Sequence, residues 1–203
     1  MCSIVGSYSK DMFIELLKLN RYRGAFSHSL TLFQKDRCVI FKDFGDFNLD
    51  LLNNVIDGDY MLGHCQSPTN GLVKEFDRIH PFVDSQFKLL HNGIIKKQEV
   101  DRLNLELGSS FVWDTQLLGT YIKEDFDKLS DIEGSFACAC IKDNELYIFR
   151  NAISPLYLDN AANISSTKFN DAIMIENNNI YKMIDNTYVS VDKFNNTHNP
   201  YYF

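Results

Sequence analysis

Two hydrophobic spacings alternate along the chain. Across residues 10–20, Met12, Phe13, Leu16, Leu17 and Leu19 keep the three-to-four spacing of a helix with one face toward a core. Residues 3–6 before it read as a short strand. Residues 27–33 and 38–44 carry short apolar and aromatic runs on either side of Gln34-Lys35-Asp36-Arg37, the mark of a hairpin. Strand-like runs recur at 60–63 and 87–91, and the Ser67-Pro68-Thr69-Asn70-Gly71 stretch between them has loop composition. Helices are predicted over 97–107 and 114–123, the second with Asp114 at its N-cap and Leu117, Leu118 and Tyr121 on one face. A second hairpin joins 135–141 to 145–150 through Lys142-Asp143-Asn144, and 172–175, 180–184 and 187–191 continue the strand rhythm. Strands outnumber helices and cluster in hairpins, which predicts antiparallel sheets with helices packed against them.

Composition narrows the function classes. The 203 residues suit one domain over 1–203, and 45% hydrophobic with 23% charged residues is the balance of a globular protein. No run approaches the roughly 18 apolar residues of a membrane span. Met1-Cys2-Ser3-Ile4-Val5-Gly6 lacks the basic start and apolar run of a secretory leader, so a cytoplasmic protein is expected. A net charge of -7 without a dense Lys/Arg cluster argues against nucleic acid as a partner. Five cysteines with no CxxC pair and no Cys/His zinc spacing argue for reduced thiols, with no metal and no cofactor expected. Abundant Asn, Lys, Ile, Phe and Tyr with little Ala hint at an AT-rich genome of the kind many phages carry.

Two places can carry chemistry. If Met1 is trimmed, Cys2 becomes N-terminal, and an α-amine with an ordinary pKa of about 7.7–8.0 then lies beside its thiol. Such an amine can act as general base for its own side chain. The plainer alternative is a buried small residue. The second place is His91-Asn92-Gly93, after the apolar run 87–90. An Asn side-chain amide and a Gly backbone N–H at a strand end can form an oxyanion hole. Asn-Gly is equally a hairpin turn, and the local pattern favours the turn.

The order of motifs resembles the class II glutamine amidotransferases, especially the glutaminase domain of glucosamine-6-phosphate synthases. The likeness runs through Met1-Cys2-Ser3-Ile4-Val5-Gly6, Tyr22-Arg23-Gly24, Gly63-His64-Cys65-Gln66-Ser67-Pro68-Thr69-Asn70-Gly71, His80-Pro81, His91-Asn92-Gly93-Ile94-Ile95, Asp114-Thr115-Gln116, Gly134-Ser135-Phe136, and Arg150 with Pro155-Leu156-Tyr157. It implies an α+β fold of the N-terminal nucleophile hydrolase type, an αββα four-layer sandwich of two antiparallel sheets between helical layers. It also implies Cys2 as nucleophile, its α-amine as base, and Asn92 with the Gly93 backbone as the oxyanion hole. Asp114 would bind the α-ammonium group of L-glutamine, Thr69 and its loop would close over the substrate, Arg23 would support the N-terminus, and His80 would lie near the substrate.

Two positions depart from the resemblance. Ser3 stands where the family usually has Gly. Gln66 stands where it usually has an arginine for the glutamine α-carboxylate. Three readings of Gln66 remain open: another arginine, with Arg78 nearest in sequence, takes the carboxylate; the substrate is an amide without one; or turnover is lost. The expected function is a stand-alone glutaminase that supplies ammonia to an acceptor synthase or transferase in trans, the aromatic tail Tyr201-Tyr202-Phe203 being one place a partner could bind. The rivals are a silent binding or regulatory module and a hydrolase of another amide. His28 and His64 read as core histidines, and Cys138 and Cys140 as packing residues on one strand face.

Overall fold

The computed structural model describes residues 2–67 and 75–197. The chain opens with β1 (Ser3–Ser7) and α1 (Lys10–Asn20), whose N-cap Ser9 accepts from Met12 N at 3.3 Å. A hairpin follows, β2 (Ser27–Gln34) and β3 (Arg37–Phe44), then β4 (Tyr60–Gln66), which pairs with both β1 and β2. After β5 (Phe82–Asp84) and β6 (Phe87–Ile95) come α2 (Lys97–Leu107) and α3 (Asp114–Ile122). The hairpin β7 (Gly134–Lys142) and β8 (Glu145–Arg150) precedes three two-residue strands, β9 (Tyr157–Leu158), β10 (Ile164–Ser165) and β11 (Ile173–Met174). A last hairpin, β12 (Asn179–Ile184) and β13 (Thr187–Lys193), ends the described strands.

These strands form a seven-stranded sheet in the order β11-β9-β10-β1-β4-β2-β3 and a six-stranded sheet in the order β13-β12-β8-β7-β6-β5. Their neighbours pair antiparallel. The two-residue period of the strands then sets the layers. Val5, Leu30, Leu32 and Met61 point to one side of the first sheet and pack with Phe13, Leu16 and Leu17 of α1. Ile4 and Leu62 point to the other side and meet Leu90, Ala137, Ala139 and Ile148 of the second sheet. The far side of that sheet presents Leu89, Phe136, Cys138, Cys140 and Phe149 to Leu103, Leu117, Leu118 and Tyr121 of α2 and α3. The result is the four-layer αββα sandwich, with each fully buried Leu, Ile or Phe contributing roughly 1.5–3 kcal/mol of transfer free energy.

The structure corrects the local reading at three places. Asn92-Gly93 is not a turn: β6 runs through it to Ile95, which pairs with Gly134. A Cβ at Gly93 would land on the Ser135 carbonyl, so the missing side chain serves a close strand approach rather than a reversal. Asp114 is the first residue of α3, not its N-cap; Trp113 holds the cap position without a side-chain bond. Strands β5, β9 and β10 were not predicted, because two or three residues are too few to show a period.

Candidate active site

Register brings the sequence motifs to one end of the sandwich. In the first sheet Ser3 pairs with Cys65 and Ile4 with His64, while Ser27 pairs with both Gln66 and Phe44. Continuing that register by one residue sets Cys2 opposite Gln66. Because side chains alternate, Cys2, Gln66 and Ser27 share the face of Ile4, which is the face turned toward the second sheet. Ser3 adopts the extended conformation of β1 at 1% exposure, so the position after Cys2 needs no glycine.

Cys2 is half-buried, and its thiol lies 3.7 Å from the Ser67 carbonyl. Burial pushes the thiol up; the contact to Ser67 and the nearby Arg23 guanidinium pull it down, and the Asp114 carboxylate pushes it up further. The resting group is therefore a thiol that needs a base to become a nucleophile. Arg23 Nε donates to the Cys2 carbonyl at 2.9 Å and fixes the backbone of that residue. The segment carrying Arg23 is itself fastened. Asn20 Nδ2 donates to Ser165 Oγ at 2.8 Å, Thr167 Oγ1 donates to Asn20 Oδ1 at 2.8 Å, and Tyr22 shares a 3.1 Å hydroxyl bond with Thr167. A Cβ on Gly24 would strike the backbone of Gln66 and Ser67, which explains glycine after Arg23.

The second sheet supplies the facing groups. Asn92, 4% exposed on β6, donates from Nδ2 to Ser166 Oγ at 3.2 Å. Ser166 Oγ also accepts from Ile4 N at 2.9 Å, and Ser166 N donates to the Ile4 carbonyl at 2.9 Å, so one residue ties β1 to β6. Beyond Gly93, Ile94 N donates to Ser135 Oγ at 3.0 Å and Ile95 N to Asp114 Oδ2 at 3.2 Å. Asp114 Oδ1 accepts from Thr115 N at 2.8 Å, so the half-buried carboxylate is held at the positive end of α3.

Behind these groups lies a layer of buried histidines. His80 stacks on His64 with ring centroids 3.8 Å apart and meets Trp113 edge-on at 5.1 Å. Thr115 Oγ1 lies 3.0 Å from His80 Nε2 and 3.2 Å from His91 Nδ1, and His64 Nε2 is 3.1 Å from the His91 carbonyl. Burial lowers both His64, to about 3, and His80, so these rings are neutral. His28 is satisfied elsewhere, by the Gly45 carbonyl and Asn48 N.

Of the predicted site residues, Cys2, Arg23, Gln66, Asn92, Gly93 and Asp114 gather at this end, His80 lies in the histidine layer at 3% exposure, and Thr69 lies outside the described residues, as do Met1 and Tyr201-Tyr202-Phe203. Gln66 is half-buried and its Oε1 accepts from Ser27 Oγ at 2.7 Å, its amide N–H groups having no hydrogen-bond partner among the described residues. Arg78 is paired with Glu75 in its own turn. Ser27, Thr115 and Ser166 were not anticipated. Each is a small hydroxyl residue whose importance comes from a partner far away in sequence, and only the register reveals it.

The chain resembles known proteins in sequence and in fold. No family model matches the chain. It is 26% identical over 211 residues to glutamine–fructose-6-phosphate aminotransferase (isomerizing) of Staphylococcus epidermidis, covering 91% of this chain and 34% of that protein. It is 28% identical over 183 residues to the enzyme of that name from Staphylococcus aureus, covering 78% and 30%. The chain thus spans about a third of the length of the curated relatives it matches. Among solved structures, glutamine phosphoribosylpyrophosphate amidotransferase from B. subtilis superposes with a TM-score of 0.69 at 15% identity, over 94% of this chain and 49% of that one. A glutamine aminotransferase class-II domain protein from Silicibacter pomeroyi superposes with a TM-score of 0.55 at 10% identity, over 96% and 100%. Over most of its length the chain is thus similar in sequence to glutamine–fructose-6-phosphate aminotransferases, and its αββα fold is shared with solved glutamine amidotransferase structures.

Proposed function

We propose that this chain hydrolyses the side-chain amide of L-glutamine to glutamate and ammonia, with Cys2 as nucleophile once Met1 is removed. The observation that carries the reading is the convergence of Cys2 on the first sheet with Asn92 on the second and Asp114 at the start of α3, Ser166 bonding both Ile4 and Asn92 and Asp114 accepting from Ile95 N. Burial keeps the Cys2 thiol protonated, so its own α-amine takes the proton as sulfur attacks the amide carbon. The oxygen of the tetrahedral intermediate is held by the free hydrogen of Asn92 Nδ2 and by the Gly93 backbone N–H. As the intermediate collapses, the C–N bond breaks and ammonia leaves with the proton returned by the amine. Water then attacks the thioester, giving its proton to the amine; the C–S bond breaks, the amine returns that proton to the Cys2 sulfur, and glutamate leaves. Asp114 pairs with the substrate ammonium, and Gln66 offers amide N–H groups to the α-carboxylate. Thr69 would close the site and His80 would support it from beneath. The ammonia passes to an acceptor enzyme in trans.

Gln66 favours a second reading, a silent module that keeps the fold. With its carbonyl committed to Ser27, Gln66 offers a neutral donor where a charged fork would hold a carboxylate better. Ammonia release from L-glutamine, assayed on protein whose N-terminal residue is Cys2, separates the two: release supports the glutaminase, and its absence supports the module.

A further inference from the structure

Ser166 follows the two-residue strand β10 and has no role in the chemistry described above, yet it is 1% exposed and stands between the two halves of the site. Its hydroxyl oxygen accepts from Ile4 N, two residues from the nucleophile, and from Asn92 Nδ2 on the other sheet. Its backbone N–H returns a bond to the Ile4 carbonyl, so its own position is fixed by β1.

We propose that Ser166 is a positioning residue for amide hydrolysis: its hydroxyl sets the rotation of the Asn92 amide relative to the strand that carries Cys2. The inference rests on the glutaminase reading given above. An Asn amide nitrogen has two hydrogens, and a bond to Ser166 consumes one and directs the other. Ser166 Oγ has two lone pairs, one accepting from Ile4 N and the other from Asn92 Nδ2, and in this arrangement the hydroxyl holds the nitrogen of Asn92 toward β1. A flipped Asn92 would turn a carbonyl oxygen toward the developing oxyanion and repel it. The residue touches no substrate atom; it acts through Asn92.

The test has a spectroscopic arm and a kinetic arm. In wild type, the Asn92 side-chain amide, assigned by its loss in Asn92→Asp, should give two well-separated proton resonances with at least about tenfold slower exchange than a free amide. Ser166→Ala should collapse that separation and the protection. In the kinetic arm, Ser166→Ala should lower kcat for glutamine about 10- to 100-fold while KM stays within about twofold, and Ser166→Thr, which keeps a hydroxyl, should recover most of the loss. Alkylation of Cys2 by iodoacetamide needs no oxyanion hole and should proceed within about twofold of the wild-type rate. An Asn92 amide unaffected by Ser166→Ala overturns the proposal, as does an equal loss of turnover and alkylation, which would mean that Ser166 only braces β1. A wild type that shows the Asn92 response but releases no ammonia removes the glutaminase reading and leaves the positioning intact.

Discussion

Acid should weaken this protein through its histidine layer before its carboxylates titrate. His64 is 1% exposed, and burial holds its ring at about 3 against an ordinary 6.5, with the bond to the His91 carbonyl opposing that shift. The folded state therefore keeps His64 neutral where the unfolded chain takes up a proton. Below the unfolded pKa the unfolded state binds more protons, so stability is full above about pH 6.5 and falls as pH drops toward the folded value. At about 1.36 kcal/mol per pH unit, the step from about 6.5 to about 5.0 removes roughly 2 kcal/mol through His64 alone. His80 is shifted in the same direction by burial and adds a loss of the same sign. Against a typical stability of about 5–15 kcal/mol this is a large effect. Urea unfolding of wild type and His64→Gln between about pH 7.5 and 5.0 measures it, a window above most carboxylates. The variant should be less stable at the top of the range, but its curve should be flatter by about 2 kcal/mol across it. Parallel curves would refute the claim that a buried neutral His64 carries the pH dependence.

Two further substitutions test the site. Gln66→Arg replaces a neutral donor by a charged fork, worth roughly 1–2 kcal/mol more against a carboxylate, so KM for glutamine should fall about tenfold with kcat little changed; steady-state kinetics that show an unchanged or higher KM would contradict the carboxylate role. Gly93→Ala places a Cβ on the Ser135 carbonyl and beside His91 Nε2, which must part β6 from β7 next to Asn92. A loss of about 1–3 kcal/mol in urea unfolding and a fall in kcat larger than any change in KM are expected.

The helices and hairpins were legible because their periods repeat. Residues 10–20 and 97–107 match α1 and α2, and 145–150 matches β8, since each has enough residues for its apolar face to be counted. Asn92-Gly93 misled because the same dipeptide serves a reversal and a close strand approach, and only the Ser135 carbonyl across the sheet distinguishes them. The Ser165-Ser166-Thr167 segment carried no readable signal: three small polar residues in an Asn-rich region look like a loop. Its meaning lies in bonds to Ile4, Asn20 and Asn92, between 74 and 162 residues away. His64 was read correctly as a core histidine, but its stack on His80 depends on a contact between separate segments that no local pattern encodes.

The most direct test is ammonia and glutamate release from L-glutamine by protein whose mass confirms an N-terminal Cys2, compared with Cys2→Ala and with protein that retains Met1. The account predicts equal amounts of both products from the trimmed wild type and none above background from either of the others. Turnover that survives Cys2→Ala or a retained Met1 would contradict an N-terminal cysteine nucleophile, and no turnover from the trimmed wild type would contradict the glutaminase itself.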